Sequence, residues 1–259
     1  MDLSERAAVA QRAARAAGEL IRTHRDFKVS NKSEKDYVTE MDVKSERLIR
    51  ETLLTAFPED EFFGEESGGS GRETGRWIVD PIDGTTNYIR GIAFYTISIA
   101  YEVDGEPVLG CVYCPELDEM YLGVKGEGAT LNGRPIHVRP VEKMTDAVFG
   151  MSFAHRHPRY ARRMMEVLPG IVTQVNDLRR MGSAAYDLCC VASGKYDGYF
   201  ELGLYIYDIA AGMVIVREAG GLAEDWNPEG DVLRSGNIIA AGPAAFAFLR
   251  RELNGERAD

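Results

Sequence analysis

From Trp77 to Asn87 the chain reads Trp77-Ile78-Val79-Asp80-Pro81-Ile82-Asp83-Gly84-Thr85-Thr86-Asn87, and no other stretch constrains the fold as strongly. An apolar run of strand character leads straight into two carboxylates, so a buried strand has to end at a charged mouth. Pro81 sets its own φ and disfavours helix at Asp80, which holds the backbone bent where Asp80 and Asp83 can converge on a shared cation. Gly84 then permits close backbone approach. A helix beginning near Thr85 turns the amides of Gly84 and Thr85 outward, where dipole and hydrogen bonds together favour an anion. Taken singly, Asp-Pro and Asp-Gly are ordinary turn signals, and only the combined string points to metal ligands and an anion cradle in one loop.

Charge balance leads in the same direction. The 259 residues carry 41 acidic and 30 basic side chains, a formal charge of −11, which argues against a broad nucleic-acid footprint because phosphate backbones require clustered cations. A phosphate ligand is repelled by the same excess, so divalent ions held by carboxylates are the natural intermediary. With 45% hydrophobic residues there is ample material for a core, in one large unit or two closely packed halves. Residues 1–12 show neither a basic leader nor an apolar run, no stretch is long enough to span a bilayer, and four cysteines are too few for a disulfide scaffold. These readings give a cytoplasmic protein with no membrane partner.

Around the central string the hydrophobic period changes. Leu3, Ala7, Ala10, Ala14, Ala17, Leu20 and Ile21 recur at helical spacing, and a second helix with Leu48, Ile49, Leu53 and Ala56 buried follows Asp42 and stops at Pro58. Residues 28–36, between them, are polar and read as a loop. Ile97, Ile99 and Tyr101 alternate with polar or small residues, Asp104-Gly105 is a hairpin turn, and strands are predicted at 108–113, 119–124 and 135–138. Beyond 140 the order is strand at 147–153, helix at 158–167, strand at 171–175, helix at 183–192, strand at 198–201 and helix at 208–219. A strand at 237–241 and a helix at 246–253 close the chain.

Two further acidic segments stand out. Gly64-Glu65-Glu66-Ser67 follows a short strand and can add a ligand, although adjacent glutamates are commonly just solvated. Asp208 opens an otherwise small and apolar helix in Tyr207-Asp208-Ile209-Ala210-Ala211-Gly212, and on its own reads first as a helix cap. Together with Gly182-Ser183-Ala184-Ala185 and the Asp80 to Thr86 string, these segments resemble the inositol monophosphatase family in motif, order and spacing over roughly residues 5–250. The string Asp-Pro-Ile-Asp-Gly-Thr-Thr-Asn is highly specific to the wider superfamily of lithium-sensitive, magnesium-dependent phosphatases.

The resemblance implies an α+β fold, a layered α-β-α-β-α sandwich, as one unit over residues 1–259. Its approximate halves are 1–140, carrying the metal motif, and 141–259, carrying the substrate pocket. It implies Mg2+ as cofactor, two or three ions per site, with Glu65, Asp80 and the carbonyl of Ile82 on a first ion and Asp80, Asp83 and Asp208 on a second. Val38-Thr39-Glu40-Met41-Asp42 matches the segment whose aspartate pairs with the motif threonine. Asp42 and Thr85 are then the water-activating dyad, and Glu65 orients the water. Asp83, Gly84, Thr85, Gly182, Ser183, Ala184, Glu201 and Asp208 would face substrate, with Arg179 the better match of the Arg179-Arg180 pair for a cation at the rim. A small phosphorylated polyol is the implied substrate, and a homodimer the implied assembly.

Relatives with the same metal cluster act on fructose bisphosphate, phosphoadenosine phosphate or histidinol phosphate. Thr86-Asn87-Tyr88, where nucleotide-directed relatives carry lysine and glutamate, and Glu201 both favour the inositol branch. The sequence departs from the family pattern at Tyr207, where many relatives have tryptophan, and in residues 31–35, a variable loop near the third metal. A role of another class stays open, because some bacterial relatives associate with the transcription machinery. Cys111-Val112-Tyr113-Cys114 lacks a second cysteine pair of zinc-site spacing and reads as core, like the adjacent Cys189-Cys190. His155 and His157 show no ligand spacing, and residues 68–75 read as a mobile loop near Glu65.

Overall fold

The structure is a computed structural model and describes residues 3–24, 27–33, 36–69, 75–154 and 157–255, with only the backbone described at 31–33 and 36. The first half contains α1 (Leu3–Thr23), β1 (Val29–Ser33), β2 (Asp36–Thr39), α2 (Glu40–Ala56), β3 (Glu61–Gly64), β4 (Gly75–Asp83), α3 (Thr85–Arg90) and β5 (Thr96–Val103). A meander follows: β6 (Glu106–Cys114), β7 (Glu119–Val124), β8 (Gly128–Leu131) and β9 (Arg134–Pro135). The second half contains β10 (Val148–Met151), α4 (Pro158–Val172), β11 (Asp177–Arg179), α5 (Ala184–Ala192), β12 (Gly198–Glu201) and α6 (Ile206–Glu218). It ends with β13 (Leu222–Asp225), α7 (Val232–Ser235), β14 (Ile238–Ala241) and α8 (Pro243–Asn254).

Two large sheets organise the chain: seven strands in the order β3-β4-β5-β6-β7-β8-β9, and five in the order β11-β10-β12-β14-β13. The larger is antiparallel except where β3 runs parallel to β4. Trp77 and Val79 pack toward α1 and α2, on Ala14, Ile21, Ile49 and Leu53, whereas Ile78 between them packs toward α5 and α6. Strand side chains alternate between faces, so β4 is buried without a break and Trp77-Ile78-Val79 is apolar throughout, because both faces of the strand are covered. The smaller sheet behaves likewise. Tyr199 and Ala240 face α5 and α6, while Phe200, Ile239 and Ala241 face α4 and α8. The layers therefore run helices, seven-stranded sheet, helices, five-stranded sheet, helices, and α5 and α6 are held between the sheets.

Several elements differ from the sequence expectation. Residues 28–36 are not simply loop, since β1 and β2 pair as an antiparallel hairpin, one that needs no apolar face because it stands apart from the large sheets. The second helix starts before Asp42, at Glu40, with Thr39 as its cap. The helix expected to stop at 167 runs through Pro169 to Val172, and the strand expected at 171–175 is absent, replaced by β11 two residues farther on. Ile171 looked β-branched and strand-like, but it completes the buried helical stripe of Met164 and Val167. β9 is only Arg134–Pro135, and β13 and α7 had no counterpart in the reading. Among the described residues no helix is long and apolar enough to cross a membrane. All four cysteines are buried and unpaired by disulfides. His155, residues 34–35 and residues 70–74 lie outside the described residues.

Candidate active site

The site begins with a register irregularity at the end of β4. Asp80 pairs with Ser98 and Asp83 with Thr96, so three steps on β4 oppose two on β5. In an unbroken strand, residues three apart point to opposite faces. The extra residue in Pro81-Ile82 restores the phase, as a bulge does, and turns both aspartates toward the helix layer. Ser98 and Thr96 mark that direction: Ser98 Oγ donates to the Tyr207 carbonyl at 3.1 Å, and Thr96 Oγ1 lies 3.2 Å from Ser183 Oγ. The loop is tied from below by Ser45 Oγ on the Pro81 carbonyl at 3.2 Å and by the Ile82 amide on Asp80 Oδ1 at 2.9 Å.

The starts of α5 and α6 meet this loop. Asp83 Oδ2 accepts from Ser183 Oγ at 2.6 Å and from the Ala185 amide at 2.7 Å, which fastens the end of β4 to α5. Asp208 stands in the first turn of α6, where its Oδ2 accepts from the Tyr205 amide at 2.7 Å. Asp208 is therefore not the N-cap itself, which is Tyr205, but the third helical residue reaching back to the cap's amide, and this uses one oxygen of two. Ligand oxygens of Asp80, Asp83 and Asp208 all lie within 4.8 Å of one another.

Such a group is electrostatically costly alone. Burial, and then the charges of Glu65, Asp83 and Asp208, push the Asp80 carboxyl well above the usual carboxylate range. Burial, and then Asp83, do the same to Asp208, which is half-buried where it lines a cleft. Glu65 acts on Asp80 from the turn after β3. That turn is built by the Glu65 amide on the Val79 carbonyl at 3.0 Å, and by the buried Glu46, which accepts from the Glu66 amide at 2.7 Å and the Ser67 amide at 2.9 Å. Crowded, desolvated carboxylate oxygens of this kind fit a hard divalent cation, which takes oxygen ligands and removes the mutual repulsion.

Beside the acids, Thr85 Oγ1 donates to Asp42 Oδ1 at 3.3 Å and approaches the Ile82 carbonyl at 3.1 Å. Asp42 is buried and fixed by Thr39, whose hydroxyl and amide both donate to its Oδ2, at 2.6 and 2.8 Å. Gly84, which caps α3, has φ of 92°, and a Cβ there would stand 3.1 Å from the Phe94 carbonyl and 3.2 Å from that of Gly182. Only glycine adopts this conformation without strain.

A cleft of about 220 Å³ opens beside the cluster, and Asp83, Gly84, Thr85, Gly182, Ser183, Ala184, Glu201 and Asp208 all line it. It is smaller than the ~300–1,000 Å³ of drug-sized pockets and suits a small metabolite. Asp80 and Ile82 lie behind this wall. Arg179 does not reach it, because the side chain turns outward into an ion pair with Asp177 at 2.5 Å, and Arg180 lines the cleft instead. Adjacent residues diverge at the end of β11, so a one-residue choice between two arginines was undecidable from their order alone. Glu201 accepts a hydrogen bond from Tyr199, and burial, opposed by hydrogen bonds from Tyr199 and Ser152, pushes it up to about 7. Ser152, Asp187 and Glu46 escaped the sequence reading. Ser152 and Asp187 are single polar residues among apolar neighbours, Glu46 is one of several charged residues on α2, and none has a motif around it.

The inositol monophosphatase family matches residues 2–256 of this chain. Among characterised relatives, the Nus factor SuhB of Pasteurella multocida is 40% identical over 241 residues, covering 91% of this chain and 90% of that protein. Among solved structures, the extragenic suppressor protein suhB of Bartonella henselae superposes with a TM-score of 0.91 at 37% identity, covering 95% of this chain and 97% of the other. The Thermotoga maritima IMPase superposes with a TM-score of 0.89 at 30% identity, covering 97% of each chain.

Proposed function

This chain belongs to the inositol monophosphatase family, and on that premise we propose that it is a magnesium-dependent phosphomonoesterase acting on inositol monophosphate. The observation that carries the reading is the double position of Asp83 and Asp208. Both belong to the acidic cluster and both line the cleft, so an ester held there has its phosphate against the candidate metal ligands. Glu65, Asp80, the Ile82 carbonyl, Asp83 and Asp208 would hold the magnesium. When bound, the metal supplies the positive charge that draws in phosphoryl oxygens, acidifies water and stabilises the leaving oxygen.

The chain's own groups do the rest. Thr85 Oγ1, donating to Asp42 Oδ1, is placed to take a proton from an attacking water while passing its own to the aspartate. Thr39 keeps the other oxygen of Asp42 occupied, so Oδ1 is the one directed at Thr85. Glu65 orients the water. The amides of Gly84 and Thr85 receive the phosphate, Gly182, Ser183 and Ala184 border the polyol, and Glu201 accepts from one of its hydroxyls. No covalent intermediate is needed. Phosphate monoesters are among the slowest esters to hydrolyse in water, with enzymatic accelerations reaching about 10²¹, and electrostatic stabilisation must supply much of this. The same reading carries a cytoplasmic homodimer, to be checked by sedimentation.

A phosphate-release screen tests the proposal, using inositol monophosphates, fructose bisphosphate, phosphoadenosine phosphate and histidinol phosphate, each with magnesium and with chelator. Highest kcat/KM on an inositol monophosphate, abolished by chelation, is the expected outcome. Preference for one of the other esters moves the substrate assignment, and release from none overturns the enzyme. Relatives named Nus factor SuhB support a second reading, a transcription-related role. A pull-down of transcription proteins that survives Asp83→Asn, from a chain with negligible phosphatase activity, favours it.

A further inference from the structure

One buried acid in the wall of the cleft has no part in the chemistry above. Asp187, on α5, is 2% exposed and lines the cleft, yet its Oδ1 has no hydrogen-bond partner. The hydroxyls around it are committed elsewhere: Ser183 to Asp83, and Ser152 and Tyr199 to Glu201. Tyr196, the other nearby hydroxyl, is itself without a partner and makes no bond to it. Leaving a buried polar atom unsatisfied is costly, and such atoms persist in native structures where function supplies the missing donor. Glu201 and Arg180 flank Asp187 in the same cleft, giving a wall with acceptors on one side and a cation at the rim.

We infer that Asp187 is a specificity-determining residue, whose carboxyl accepts a hydrogen bond from a second hydroxyl of the substrate alcohol beside the one held by Glu201. The cleft then selects phosphate esters whose alcohol carries neighbouring free hydroxyls over esters of plain alcohols. This inference rests on the phosphatase reading above and names what that site discriminates.

The test compares Asp187→Leu, which keeps the branched outline in a bulkier form and removes the acceptor, with Asp187→Asn, which keeps one. Turnover is measured with magnesium on myo-inositol 1-phosphate and on p-nitrophenyl phosphate, alongside Tm. We expect Asp187→Leu to lose roughly 10-fold or more in kcat/KM on the inositol ester while p-nitrophenyl phosphate changes little. Asp187→Asn should recover part of the loss, and Tm of the leucine variant should be equal or higher, since no internal hydrogen bond is broken. Equal losses on both esters, a fall in Tm with a uniform loss, or no loss at all would each overturn the inference. If the unsubstituted chain hydrolyses neither ester, the phosphatase reading fails separately. Calorimetry with myo-inositol then decides: weaker binding by Asp187→Leu supports the inference, and equal or absent binding in both chains defeats it.

Discussion

Asp83 holds three attachments with one carboxylate: it anchors α5 through Ser183 and Ala185, closes the acidic triplet, and lines the cleft. An asparagine can keep the first attachment, because its amide oxygen accepts from Ser183 and Ala185, but it cannot supply a charged ligand. Asp83→Asn is therefore expected to lower magnesium-dependent phosphate release by at least about 100-fold while the folded chain persists. Circular dichroism and turnover on one preparation check both halves, and full activity at moderate magnesium would refute the metal assignment. Thr85 makes a sharper point. Its hydroxyl bridges Asp42 and the Ile82 carbonyl, so Thr85→Ala removes the proposed proton path without emptying the cleft. Turnover should fall by about 10²–10⁴ with apparent affinity little changed, and an effect confined to KM would contradict the relay.

At the scale of elements, the turn bearing Glu65 depends on a residue from another helix. Glu46, on α2, receives two backbone amides from that turn, and a Cβ at Gly64 would stand 2.3 Å from its Oε2. Glu46→Gln turns a donor toward one of these amides, so the variant is expected to lose about 1–3 kcal/mol of stability and to bind magnesium about 10-fold more weakly. Gly64→Ala should act in the same direction by displacing the carboxylate. Calorimetric metal titration beside urea unfolding measures both, and unchanged magnesium affinity in the two variants would remove Glu46 from the site's support. The same elements explain what was readable in the sequence. Asp80, Asp83 and Thr85 were legible because proline, glycine and two carboxylates in one string leave few backbone paths. Glu46, Asp187 and Arg180 were not, because their meaning arises only when α2 reaches the Glu65 turn and when α5 and the residue after β11 come to line the cleft, long-range placements with no local signature. The strand misread at 171–175 failed for the opposite reason: local β-branching was overruled by the buried stripe of α4.

Across the whole molecule, the fold gathers charge that the composition already holds in excess. The chain carries a formal −11, and its middle layer buries or half-buries Asp80, Asp83 and Asp208 together. In the metal-free protein Asp80 and Asp208 have pKa values raised mainly by burial, so the folded state binds more protons than the unfolded one. Their contribution to stability is then complete below the unfolded carboxylate range near pH ~4 and is lost as pH rises through the raised folded values. Glu201, pushed up to about 7, adds to the same trend. Asp80→Asn imitates the protonated acid at every pH. Without metal, the variant should match the parent in acid and become the more stable of the two as pH approaches neutrality and beyond. On the proposed metal assignment magnesium reverses the order, since it would bind the ionised cluster of the parent and compete with protons, so its rise in Tm should grow with pH and be largely absent from the variant. Thermal unfolding of both chains, with chelator and with magnesium, from about pH 5 to about pH 8 reads all of this. If the metal-free parent instead gains on the variant as pH rises, the acids are already neutralised by the protein itself, and the cluster has no need of a cation.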